Sequence, residues 1–166
     1  MTPQRKSAIA AAAGVVLAAA GLISQIGKHE GREYAPYRDI VGVLTVCDGI
    51  TGPDVVPGKT YTDAECNALT IKHVEDHGAK LLQCITVRIT QGYYDALTSW
   101  AYNVGTGAAC GSTLVRLLNQ GEYRAACDQL MRWNRAGGRE VRGLTNRRMQ
   151  ERAQCLRSIP TPKGLA

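Results

Sequence analysis

Apolar positions along this chain fall into three regimes: one long uncharged run, one short β-branched run, and a series of stripes at helical spacing. The uncharged run extends from Ser7 to Gly27, directly after Arg5 and Lys6. Residues 40–47 (Ile-Val-Gly-Val-Leu-Thr-Val-Cys) are β-branched and apolar, which predicts a short strand. Thr51-Gly52-Pro53-Asp54 is turn chemistry. Thr62-Asp63-Ala64-Glu65 has the form of a capping box, and Cys66, Leu69, His73, His77 and Leu81 continue from it at helical spacing. Tyr93, Ala96, Leu97, Trp100, Ala101 and Val104 form a second helical stripe that stops at Gly105. Ser112 is placed to cap a short helix through Leu114, Leu117 and Leu118 to Gly121. Tyr123, Ala126, Cys127 and Leu130 make another, and Thr145 is expected to cap a last helix carrying Met149, Ala153 and Leu156. These stripes of Tyr, Trp and Leu are read as core. The sum is an α+β chain, mainly helical, with a small β region near its amino terminus. Neither an internal repeat nor a low-complexity linker follows Gly27.

The uncharged run sets the compartment. Twenty-one residues in a helix span about 31 Å, close to the hydrocarbon thickness of a bilayer. The positive flank precedes the run, so the amino end stays inside and the rest crosses. Its composition is weakly apolar, with alanine at Ala8, Ala10 to Ala13 and Ala18 to Ala20, and with Gly14, Gly21, Ser24 and Gln25. Ile9, Val15, Val16, Leu17, Leu22, Ile23 and Ile26 contribute roughly −0.3 to −0.6 kcal/mol apiece, about −2 to −4 kcal/mol together, before the polar positions subtract from it. Insertion is therefore marginal. Four readings stay open: a signal peptide cleaved after Ala18-Ala19-Ala20, a permanent anchor, an alanine-rich core helix, and an anchor that leaves the membrane again.

Charge and cysteine usage narrow the chemistry. The 166 residues suffice for one domain with a core, and the formal net charge of +6 favours polyanions. Basic residues gather late, at Arg132, Arg135, Arg139, Arg142, Arg147, Arg148, Arg152 and Arg157, a run that a solvated helix face explains. No zinc-finger or RNP-type pattern accompanies them, so nucleic acid is not expected as a partner. Cys47, Cys66, Cys84, Cys110, Cys127 and Cys155 show no C-x-x-C spacing and no cluster with His29, His73 or His77, so no metal site is expected and no cofactor. They fit three disulfides in an exported chain, of fifteen possible pairings, or six free thiols in a cytosolic one. Glu30, Asp39 and Thr45 place two carboxyls and a hydroxyl at short spacing, a set able to flank a glycosidic bond: one carboxyl donates a proton and the other activates water or stabilises charge on the sugar. An acidic pair on a solvated surface has the same spacing.

Several segments align beyond that set. Glu30-Gly31, Tyr37-Arg38-Asp39, Gly42 and Thr45 are followed by Gly58-Lys59-Thr60-Tyr61-Thr62, Ser99-Trp100-Ala101-Tyr102-Asn103-Val104-Gly105, Ser112-Thr113-Leu114, Arg132-Trp133, and Gly143-Leu144-Thr145-Asn146-Arg147-Arg148 with Glu151. In these segments the chain resembles the phage lysozymes of glycoside hydrolase family 24, over roughly residues 28–157. Its front end resembles the signal-arrest-release endolysins of phages that infect Gram-negative bacteria. The resemblance implies a lysozyme-like fold with a helical carboxyl-terminal lobe, and three parts: an export and membrane segment at 1–27, a muramidase domain at 28–157, and a tail at 158–166.

Residue by residue, the resemblance implies that Glu30 is the general acid and Asp39 the general base or electrostatic partner. Thr45 holds the attacking water with Asp39, Arg147 pairs with or orients Glu30, and Asn103 contacts the sugar from the far wall of the cleft. A water held between Asp39 and Thr45 implies room between the carboxyls and hence inversion at the anomeric carbon. The implied activity is hydrolysis of the β-1,4 bond between N-acetylmuramic acid and N-acetylglucosamine in peptidoglycan. The implied setting is a monomer in the host inner membrane, amino end inside, then released to the periplasm, with dependence on a holin or pinholin. Two alternatives remain, an inactive wall-binding protein and a muramidase with a cleaved signal peptide. The cysteines resemble those of exported relatives, and the implied pairs are Cys47–Cys66, Cys84–Cys110 and Cys127–Cys155. None lies in the export segment, so activation by disulfide exchange from the anchor is not expected. Departures follow Thr45: Ile50 stands where a histidine is usual, and Asp48 where a neutral residue or histidine is usual. Asp48 is expected to add charge near the site and to raise the pKa of neighbouring carboxylates.

Overall fold

The computed structural model describes residues 32–161. The 1–27 segment, Glu30 and the end of the tail lie outside the described residues. Two compact units divide what is described, residues 32–76 and residues 77–161.

The first unit is built on a three-stranded antiparallel sheet of β1 (Glu33–Arg38), β2 (Leu44–Cys47) and β3 (Ile50–Thr51), in that order. The strand expected at 40–47 is shorter at its front. Asp39 to Gly42 form the β1–β2 turn instead, and Gly42 takes a φ of 81° there. Asp39 stabilises this turn by accepting from its backbone, which the run of β-branched side chains masks in the sequence. The connection from β2 to β3 passes through Asp48-Gly49, a pair suited to tight hairpins, with Gly49 at a φ of 86°. The turn predicted at Thr51 to Asp54 begins one residue later, since Thr51 pairs with Thr45.

Helix α1 (Asp63–Leu82) starts at the predicted capping box. The Thr62 backbone N–H donates to Glu65 Oε2 at 2.8 Å, and the Glu65 N–H donates to Thr62 Oγ1 at 3.3 Å. Lys59 ion-pairs with Glu65 at 2.8 Å. Its buried stripe runs Cys66, Thr70, Val74, Gly78 and Leu81, so Thr70 and Val74 are inside where Leu69 and His73 were expected. His73 is drawn aside by Asp54, whose carboxylate it meets at 3.1 Å. Gly78 is required because a Cβ there would overlap the Tyr94 hydroxyl.

The second unit is helical. It contains α2 (Gln91–Val104), α3 (Thr106–Cys110), α4 (Thr113–Asn119), α5 (Tyr123–Gln129), a 3₁₀ turn at Leu130–Arg132, a two-stranded ribbon of β4 (Arg135–Ala136) with β5 (Arg139–Glu140), and α6 (Arg142–Arg157). Thr90 and Ser112 cap α2 and α4 through their hydroxyls, and Gly105 ends α2 at a φ of 88°. The core gathers Leu81, Tyr93, Leu97, Trp100, Leu114, Leu118 and Leu130, all fully buried. Helix α6 packs against α2 and α5.

Thr145 does not cap α6. The helix begins at Arg142, one turn earlier, and the Thr145 hydroxyl instead donates to Glu140 at 2.9 Å and accepts from Asn134 at 3.1 Å. Glu140 on β5 and Asn134 just before β4 are those partners, and nothing in the helical periodicity signals the ribbon. Three disulfides staple the molecule: Cys47–Cys66 in the first unit, Cys84–Cys110 and Cys127–Cys155 in the second. Among the described residues no helix is long and apolar enough to cross a membrane.

Candidate active site

Two of the candidate residues sit on the β1–β2 hairpin. The ladder pairs Tyr37 with Thr45 and Arg38 with Leu44, and the Asp39 N–H donates to the Val43 carbonyl at 3.0 Å. Asp39 Oδ1 accepts from the backbone N–H of Val41 at 3.0 Å and of Val43 at 2.8 Å. This Asx arrangement fixes the carboxylate's orientation. Among the described residues Oδ2 has no hydrogen-bond partner and remains available as an acceptor. Thr45 is buried, and its hydroxyl donates to the Val43 carbonyl at 3.1 Å, which leaves the oxygen able to accept. Asp39 in the turn and Thr45 on β2 are thus both tied to Val43. Around them Ile40 and Val41 are fully or largely exposed at the hairpin tip.

The substitutions after Thr45 have a structural account. Ile50 is buried as an aliphatic residue. Asp48 is fully buried, and among the described residues no resolved carboxylate shift has it as a cause. Arg32 donates from Nε to Asp48 Oδ1 at 3.0 Å and from Nη2 to Oδ2 at 2.7 Å, and Thr70 donates to Oδ2 at 2.8 Å. A two-pronged guanidinium neutralises the carboxylate in place. The Asp48 carboxylate in turn raises the Arg32 pKa.

The other two candidates lie in the helical unit. Ser99 and Asn103 on α2 meet Arg147, Arg148 and Glu151 on α6. Arg147 donates from Nε to Glu151 Oε1 at 3.2 Å and from Nη2 to the Ser99 carbonyl at 3.2 Å. The Ser99 hydroxyl donates to Glu151 Oε1 at 2.7 Å, and Arg148 Nε lies 3.0 Å from Oε2. Arg148 Nη2 donates to Asn103 Oδ1 at 2.8 Å, so the Asn103 amide is held with its carbonyl turned inward. Burial pushes the Glu151 pKa up, while Arg148, the Ser99 hydroxyl and Arg147 pull against that push. Arg147 and Arg148 are buried, unlike the solvated face expected for the late arginine run; Arg135, Arg139 and Arg142 are exposed. Glu151 and Ser99 carry no role in the sequence pattern of the candidate site, yet they complete this cluster. The signal was present, since Glu151 follows Arg147 by four residues and Arg148 by three. Among the described residues no group of His, Cys, Asp or Glu is arranged to hold a metal.

Comparison with known proteins decides the family. The phage lysozyme family profile matches residues 27–151. The chain belongs to the phage lysozyme family. It is 46% identical over 161 residues to the SAR-endolysin of Bacteriophage PS119, covering 94% of this chain and 96% of that one. It is 47% identical over 156 residues to the SAR-endolysin of Bacteriophage PS34, covering 92% and 93%. The endolysin from Escherichia coli O157:H7 phage FAHEc1 superposes with a TM-score of 0.70 at 30% identity, over 84% of this chain and 94% of that chain. This phage lysozyme therefore has the lysozyme-like fold, with a small antiparallel sheet near the amino terminus and helices toward the carboxyl terminus. It is a phage endolysin and a glycoside hydrolase.

Proposed function

We propose that the bond cleaved is the β-1,4 link between N-acetylmuramic acid and N-acetylglucosamine. The observation that carries this reading is the Asp39 carboxylate, oriented through Oδ1 and, among the described residues, unengaged at Oδ2, on the same hairpin as a Thr45 hydroxyl whose oxygen can still accept. Such a pair suits a water that must lose a proton as it attacks the anomeric carbon. Glu30 is assigned as the proton donor to the leaving oxygen, with Arg147 as its orienting partner and Asn103 as a sugar contact. With a water between the carboxyls the product inverts. Purified peptidoglycan is expected to lose turbidity with the wild-type chain and not with Glu30→Gln. Equal clearing by Glu30→Gln contradicts the assignment, and binding without clearing by the wild type makes the chain an inactive wall-binding protein.

The setting is proposed from the amino-terminal run and from the name SAR-endolysin carried by two relatives that match over more than nine-tenths of this chain. Residues 1–27 export the chain uncleaved and hold it in the inner membrane, and their marginal insertion lets them leave when the membrane potential collapses after a holin or pinholin acts. Glu30 follows Gly27 by three residues, so tethering keeps the acid at the bilayer surface and the enzyme silent. Gly14→Leu with Gly21→Leu delays lysis on this account; unchanged timing contradicts it. Intact mass separates retention from cleavage, because a periplasmic product starting at Gly21 means a cleaved signal peptide.

A further inference from the structure

The three disulfides differ in how far solvent reaches them. Cys47, Cys66, Cys127 and Cys155 are at most 1% exposed, so both of those bridges are sealed. Cys84 and Cys110 are only half-buried, and both line one cleft of about 490 Å³ in the helical unit. That volume falls in the range of small-molecule sites. Ser112, Arg116, Asn119 and Gln120 supply polar wall to the cleft. Arg116 is exposed and has no ion-pair partner among the described residues.

The segment that carries Cys84 does not depend on the bridge alone. Asn119 Nδ2 donates to the Cys84 carbonyl at 2.9 Å, and the Thr86 N–H donates to Asn119 Oδ1 at 2.8 Å. The Cys84 N–H also donates to the Leu81 carbonyl at 3.1 Å. These bonds hold residues 84–86 against α4 whether or not the sulfurs are joined. A bridge that solvent reaches, between segments fixed by other means, can open and close without unfolding, and exposed disulfides are the labile ones. The two sealed bridges open only when their unit opens.

We propose that Cys84–Cys110 is a thiol–disulfide exchange site and that the cleft takes a small carboxylate-bearing thiol of the glutathione type. The incoming thiolate attacks Cys110 Sγ, because Gly111 and Ser112, which follow Cys110 in the chain, also line the cleft. A new S–S bond forms to Cys110 and the Cys84–Cys110 bond breaks. Its electron pair leaves on Cys84 Sγ as a thiolate, which then takes a proton from water. Arg116 draws the anionic thiol into the cleft and stabilises the departing thiolate.

The test incubates the oxidised full-length chain with reduced glutathione near pH 8, traps free thiols with N-ethylmaleimide and maps the products by mass spectrometry. One glutathione is expected on Cys110 with maleimide on Cys84, at least about 100-fold faster than modification of the other four cysteines. Arg116→Gln is expected to slow this reaction about tenfold, and Arg116→Lys to restore most of the rate. With uncharged 2-mercaptoethanol the effect of Arg116→Gln should shrink to about threefold, since only the departing thiolate is then stabilised. Circular dichroism of the adduct should match that of the untreated chain. Modification of all six cysteines together, reaction first at a sealed bridge, or loss of the helical signal overturns the proposal, because exchange then requires unfolding. Glutathione on Cys84 overturns the assigned direction of attack, and a glutathione rate unchanged by Arg116→Gln overturns the role of the cleft.

Discussion

The two units hold themselves together by different means. Residues 32–76 have short strands, a modest set of buried side chains such as Val46, Ile50, Val55, Tyr61 and Val74, and a dense layer of ion pairs. Residues 77–161 have a continuous apolar core around Trp100 and Leu97, two disulfides, and one buried polar cluster at Glu151. The contrast extends to titration. In the first unit every resolved carboxylate shift is downward: Asp54 is held low by Lys72 and His73, Asp63 by Arg32 and Tyr34, and Glu65 by Lys59 and Thr62, to about 2. In the second, Asp95 and Glu151 are pushed upward by burial. One unit is organised by charges that need to be ionised, the other by apolar packing in which a charge is a cost to be offset.

That contrast can be broken, and the largest effect belongs to the core. Trp100→Ala is expected to destabilise the helical unit by about 3–5 kcal/mol, measured by denaturant unfolding. Ile50→Ala in the smaller β-unit core should fall near the lower end for aliphatic truncations, about 2 kcal/mol. A larger loss at Ile50 than at Trp100 would erase the distinction. Next comes Glu151→Ala, which removes the acceptor shared by the Ser99 hydroxyl, Arg147 and Arg148 and should cost about 3 kcal/mol. If that variant is as stable as wild type, the cluster is not an electrostatic unit.

Acid sharpens the comparison with a smaller effect. Carboxylates with depressed folded pKa values stabilise at pH above their unfolded values, 3.8 for Asp and 4.5 for Glu, and that stability is lost as pH falls toward about 2. Asp95 and Glu151 have the opposite sign: the folded state holds their protons more tightly, so acidification relieves a cost. Amide hydrogen exchange near pH 3 should therefore open residues 32–76 ahead of residues 77–161. Earlier opening of the helical unit contradicts the assignment of these charges.

The same physical division decided what the sequence could reveal. Apolar periodicity located α2, α4 and α5 with their caps at Ser112 and their stop at Gly105, because packing at a fixed helical period leaves a visible trace. The box at Thr62 and Glu65 was equally legible, being local chemistry. Contacts made by polar side chains across long separations leave no such trace. Arg32 meets Asp48 sixteen residues on and Asn67 thirty-five residues on, and Ser99 meets Glu151 fifty-two residues on. Thr145 looked like a cap because its real partners, Glu140 on β5 and Asn134 just before β4, flank or belong to a ribbon of two-residue strands too short to show a period. Of the candidate site, the residue types and spacing at Asp39 and Thr45 were readable, whereas the turn that fixes the Asp39 carboxylate was not.

The reducing ends of the glycan fragments test the central claim most directly. Mass spectrometry of purified peptidoglycan digested with the full-length chain should show fragments ending in reducing N-acetylmuramic acid, and Glu30→Gln should release them at least about 100-fold more slowly. Fragments ending in N-acetylglucosamine, or equal release by Glu30→Gln, would contradict the account.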